Sequence, residues 1–189
     1  FLLILFLFQI GALKASNQKE DFEQDFSIVN DPDEFIPGWR GNELRENSSR
    51  IFQSNSSGKE GSRCLAVQPI STFDGELTVR LSPAYFENPA IQFWARSIRN
   101  GSGSRPALVF YGFGESLDSD FSEMVQIGDN TEFANEDQIF RQFKIELPDS
   151  LRGLEEIFFR LKIEYGPGTG SAARWLFDDF EFGDFVEDL

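Results

Sequence analysis

The chain has 189 residues, 40% of them hydrophobic and 15% aromatic, with 22 Phe, one cysteine and no histidine, and its 32 acidic and 17 basic side chains leave a formal charge of −15. The missing imidazole excludes Ser-His-Asp, Cys-His and His-zinc chemistry, and the lone Cys64 excludes an internal disulfide or a multi-thiolate metal site. The acidity opposes attraction to nucleic acid or to an anionic membrane, while clustered carboxylates would suit a hard cation such as Ca²⁺.

Residues 1–12 are almost wholly apolar, too short for a comfortable membrane span, and are followed by Ala15, Ser16 and Asn17. This is the form of a signal peptide over residues 1–16, N-terminally truncated because an initiating Met and a basic start are missing. An uncleaved anchor is the alternative; otherwise the mature form has no membrane span. With a single cysteine, a bacterial periplasmic, surface or secreted location fits better than a disulfide-rich ectodomain. One domain is expected over residues 20–183, and residues 184–189 read as an acidic tail or the start of a linker to other domains of the same polypeptide.

Between these ends the chain reads as all-β. In residues 75–82, Leu77, Val79 and Leu81 alternate with Glu76, Thr78 and Arg80, which is the period of a half-buried strand. The same alternation recurs in residues 91–96, 142–147 and 157–165. Further strands are expected at 49–53, 64–68, 106–113, 121–127 and 174–182, giving about ten. Turn-forming clusters separate them, such as Asn30-Asp31-Pro32-Asp33 and Gly166-Pro167-Gly168, and residues 148–155 have room for one short helical turn. On a strict period of two, Leu176, Asp178, Phe180 and Phe182 share a face, which aligns a carboxylate with core side chains and demands a partner for it.

Three pieces stand at fixed relative positions: Asp21-Phe22-Glu23 with Pro37-Gly38-Trp39 soon after, the central Ile91-Gln92-Phe93-Trp94-Ala95-Arg96, and the closing Trp175-Leu176-Phe177-Asp178-Asp179-Phe180-Glu181-Phe182. Together they resemble the MAM-like and choice-of-anchor adhesin domains and the carbohydrate-binding modules of secreted bacterial proteins. The resemblance implies a jelly-roll β-sandwich, galactose-binding-like or concanavalin-like, of two antiparallel sheets. It also implies that the first and last strands lie together and hold a structural Ca²⁺ through Asp21 or Glu23 and Asp178 or Asp179. The other reading of Asp178 is that it accepts backbone hydrogen bonds at the end of the sheet.

Sugar-binding sandwiches place flat aromatics beside polar groups on an outer face or in loops at one end. Trp94 and Arg96 point away from the Phe93 face. If the resemblance holds, Arg80, Tyr111, Arg160 and Lys162 share one sheet, whose outer face, with Phe113, becomes the expected ligand surface; its basic residues suit an acidic polysaccharide. The function that follows is noncatalytic adhesion or carbohydrate binding, with a polysaccharide or cell-surface glycan as partner. A structural spacer within a larger secreted protein is the alternative. A glycoside hydrolase would need a carboxylate pair such as Glu164 with Asp178 or Asp179, and spacing alone positions no such pair.

Overall fold

The computed structural model describes residues 16–24, 34–36, 38–42, 50–121 and 123–185, so the expected signal peptide, apart from Ser16, and residues 186–189 of the tail lie outside the described residues. The strands are β1 (Gln18–Glu20), β2 (Glu34–Ile36), β3 (Trp39–Gly41), β4 (Ile51–Ser54), β5 (Cys64–Val67), β6 (Gly75–Leu81), β7 (Pro89–Ile98), β8 (Ala107–Gly114), β9 (Val125–Gln126), β10 (Arg141–Glu146), β11 (Ile157–Tyr165) and β12 (Arg174–Asp184). Among the described residues the helical segments are three short 3₁₀ turns, one of which, Asp149–Leu151, falls where a helical turn was expected. No described helix is long and apolar enough to cross a membrane.

Two antiparallel sheets pack face to face as a jelly-roll β-sandwich. The first runs β10-β7-β12-β5-β4, with β1 paired to β12 beyond the end of β5; the second runs β2-β3-β6-β11-β8-β9. Alternation explains which residues fill the space between them. Leu77, Val79 and Leu81 of β6, Ile91, Phe93 and Ala95 of β7, and Phe159, Leu161 and Ile163 of β11 are all buried in one core. Aromatic rings bridge the sheets near its centre. Trp39 of β3 meets Phe177 and Phe180 of β12 at 5.7 and 5.0 Å between centroids, and Phe22 meets Trp39 and Phe177 at 5.4 and 5.2 Å. Such edge-to-face and tilted pairs contribute about 0.5–1.5 kcal/mol each beyond area burial.

Four expectations change. The strand expected at 121–127 contracts to Val125–Gln126. A first strand beside the last was implied and is present as β1, paired with β12, whereas β2 and β3, only three residues each, went unforeseen. In β12 the strict period of two fails, because the register slips between Asp178, opposite Trp94, and Glu181, opposite Gln92. Three residues of β12 span two of β7, a β-bulge with Asp179 left-handed at φ 46°. Trp175, Phe177, Phe180 and Phe182 therefore face the core, and Leu176 and Asp178 turn to the outer side. Finally, β8 presents its other face: Tyr111 pairs with Leu161 and Phe113 with Phe159, so both rings pack on the core side. The pattern could not choose, since Leu108 and Phe110 make the opposite face apolar as well.

Phe177 touches Phe22, Trp39, Phe93, Trp175 and Phe180 and is fully buried. Phe177→Ala is expected to lower unfolding free energy by about 3–5 kcal/mol, read as a fall in the denaturant midpoint at unchanged slope.

Candidate functional site

A groove of about 520 Å³ opens on the outer face of the first sheet. Its lining includes Gln92 and Trp94 of β7 and Gln142 of β10; the neighbouring register pairs Gln142 with Trp94, and the Gln142 amide donates to Gln92 Oε1 at 3.0 Å. Lys19, Glu20, Asp21 and Gln24 line it from the N-terminal segment, Asp179, Phe180 and Glu181 from the bulge, and Lys59 from the turn that follows β4. The ammonium of Lys59 lies 4.4 Å above the Trp94 ring and 3.1 Å from Asp179, and Lys19 pairs with Glu181 at 3.1 Å.

The described non-glycine residues with left-handed backbone are Phe22 (φ 57°), Glu60 (φ 60°) and Asp179 (φ 46°). Each lines this groove or directly adjoins a residue that does. Each conformation costs about 1–2 kcal/mol and persists only where the surroundings fix it. For Phe22 the fixing bonds are present. The Phe22 N–H donates to Glu20 Oε1 at 2.8 Å, and the Gln53 amide donates to the carbonyls of Phe22 and Gln24 at 2.7 and 2.6 Å. Burial raises the Glu20 carboxyl above its ordinary range against the pull of the Phe22 N–H.

Of the residues singled out in the sequence, only Trp94 has its ring in this groove among the expected ligand contacts. Arg96 shares its face but donates to the carbonyls of Ser57 (2.8 Å) and Gln138 (3.2 Å) and stacks 4.8 Å over Phe140, so it fastens two loops. Arg80, Arg160 and Lys162 lie on the outer face of the other sheet, as expected. There Arg80 pairs with Glu156, and Lys162 with Glu164 and Asp74. Arg160 bonds Thr78 Oγ1 and the Leu117 carbonyl at 3.2 Å each and sits 3.8 Å over Phe121. That face is covered where β8 crosses it: a Cβ at Gly114 would meet Ser119 and Phe121 at 2.6 and 2.7 Å, and one at Gly112 would meet Met124 at 3.2 Å. Glycines let the β8–β9 connection lie directly on the sheet. Tyr111 and Phe113, packed inward, are corrected from outer-face contacts to core residues. Glu164 stands on this sheet, with the core between it and Asp178 and Asp179, so these cannot flank one glycosidic bond.

Each of the four carboxylates considered for Ca²⁺ has protein partners in the structure. Asp178 Oδ2 accepts the Lys59 N–H at 2.8 Å and the Ser62 hydroxyl at 3.3 Å, and its Oδ1 accepts the Asp179 N–H at 2.9 Å. Glu23 accepts the Arg63 N–H at 2.8 Å, Asp21 accepts the Glu23 N–H at 3.1 Å, and Asp179 holds Lys59. Among the described residues no three Cys, Asp or Glu gather where they would hold a metal ion. Gln92, Gln142, Glu20 and Lys59 entered the site unforeseen. Gln92 is detectable two residues from Trp94; the others arrive by pairing across the fold. Cys64 packs with Ala66 and Leu176, and burial pushes its thiol up to about 12.

Burial raises the Asp178 carboxyl from 3.8 to about 6, against the lowering by its hydrogen-bond donors. A carboxyl with a raised folded-state pKa contributes stability that is full below 3.8 and lost as pH rises through about 6. Unfolding free energies of the wild type and Asp178→Asn, measured across that window, are expected to diverge in favour of the wild type as pH falls.

No family model matches the sequence, and no curated protein matches it. In fold the chain is similar to the K1 cleaved adhesin domain of Lys-gingipain from Porphyromonas gingivalis W83, at 14% identity over 91% of this chain and 100% of that one, with a TM-score of 0.54. The K2 cleaved adhesin domain of Lys-gingipain matches at 12% identity over 90% and 99%, with a TM-score of 0.53. A carbohydrate-binding module specific for non-crystalline cellulose, CBM28, matches at 14% identity over 78% and 87%, with a TM-score of 0.50. At these identities the likeness is one of fold.

Proposed function

We propose that this domain is a noncatalytic carbohydrate-binding or adhesion module of an exported protein, and that its ligand lies in the groove at Trp94. The observation that carries this is the meeting of an aromatic ring with two amides and several carboxylates in one open groove on a regular sheet. Sugars are recognised in this way, with a ring face against C–H groups and planar polar groups against hydroxyls. The strained residues that hold the groove's walls support it, since such strain is retained where geometry matters to function. Adhesin and cellulose-specific modules sharing the fold support the class, and an extracellular or surface location goes with it. The reading gives up the outer face of the second sheet, whose basic residues serve ion pairs and the β8–β9 connection.

Retention on immobilised cellulose, xylan, chitin and pectin tests it. Trp94→Ala is expected to weaken retention about tenfold or more with the melting curve unchanged, and Arg80→Ala to leave it as it was. Loss in Arg80→Ala with retention in Trp94→Ala would move the site to the other sheet. No retention on any of the four polymers, nor on chitosan, would remove the glycan reading.

A further inference from the structure

The charge inside the groove points to the kind of sugar. The groove is lined by Asp21, Asp179 and Glu181 against Lys19 and Lys59, while Glu20, opposite Phe180, contributes to the lining with its side chain turned toward the core side. Lys19 is matched by Glu181 and Lys59 by Asp179. No cation is paired with Glu20 or Asp21 among the described residues; the one accepts the Phe22 N–H and the other the Glu23 N–H.

A second observation concerns the ring. Trp94 already carries a cation: the Lys59 ammonium sits over it at 4.4 Å while bound to Asp179 at 3.1 Å. An aromatic face with a carboxylate at its edge is the recognition geometry for an ammonium group, because the ring quadrupole and the anion both attract it. Lys59 reaches this position on a flexible four-carbon stem from a three-residue surface turn, so it can withdraw without disturbing the sheet.

We infer that the groove selects a cationic amino sugar, such as glucosamine units of a polysaccharide, whose ammonium takes the place of the Lys59 ammonium between Trp94 and Asp179. This rests on the glycan reading above and adds charge selection to it. The exchange preserves both the ring contact and the ion pair, while the hydroxyls meet Gln92 and Gln142. Asp21, which no cation pairs among the described residues, lines the same groove beside Lys19 and favours a further ammonium on a neighbouring unit. The formal charge of −15 steers polycations toward the domain and acidic polysaccharides away from it.

Calorimetric titration of the full chain with hexamers of glucosamine, N-acetylglucosamine, glucose in β-1,4 linkage and galacturonate, at mildly acidic pH and at low and high salt, tests this. The glucosamine hexamer is expected to bind about tenfold tighter than either neutral hexamer at low salt, to lose most of that advantage at high salt, and to lose it in Asp179→Asn. Lys59→Met is expected to strengthen glucosamine binding, since the competing ammonium is gone. Trp94→Ala weakens all hexamers. Equal binding of neutral and cationic hexamers, all lost in Trp94→Ala, would overturn the charge selection and leave the glycan reading standing. Tighter binding of galacturonate would also overturn it. Absence of binding by all four would remove both.

Discussion

The extra residue in β12 is the constraint on which the rest depends. Without it, alternation would carry Asp178 into the core beside Phe180 or turn Phe180 out of it. The bulge resolves the conflict by giving Phe177 and Phe180 the same side, three residues apart. Trp39 of the opposite sheet then packs between them. The cost of holding Asp179 left-handed, about 1–2 kcal/mol, is small beside the burial of two phenylalanines, each about 1.5–3 kcal/mol. What the bulge expels becomes the site: Asp178 and Asp179 emerge together on the outer face, where one organises a turn and the other faces the groove.

Asp178 illustrates how a buried charge is accommodated. Its two oxygens take three donors, two of them from the turn at residues 59–62, so the carboxylate acts as the post to which that turn is tied. The turn in turn sets Lys59 over Trp94. Arg96 does the same for residues 57 and 138 from two positions along β7. The polar residues of this face thus divide into those that fix loops and those that those loops leave open. Arg96 and Asp178 belong to the first set, and Gln92, Trp94 and Gln142 to the second.

Much of the architecture was legible in the chain. Leu77, Val79 and Leu81 and the long alternation through β11 reveal half-buried strands, and their number gives a sandwich. Trp94 follows from the same logic, because Ile91, Phe93 and Ala95 leave it only the outer side. Legibility ended where both faces are apolar, as at Phe110, Tyr111 and Phe113, and where a backbone angle depends on distant packing, as at Asp179. It also ended at pairings between remote segments. Gln142 reaches Gln92 only because β10 runs beside β7, and nothing local to either residue announces that.

The pairing of β1 with β12 has a mechanical consequence. Gln18 lies opposite Phe182 and Glu20 opposite Phe180, so the two ends of the described chain leave from one side of the sandwich on adjacent antiparallel strands. A load applied across those two points peels the pair apart bond by bond instead of shearing all of its bonds together. The first segment to lift carries Lys19 and Glu20, with Asp21 behind them, which is one wall of the groove. Traction on the polypeptide would thus dismantle the groove's charged wall while the aromatic centre of the sandwich is still intact.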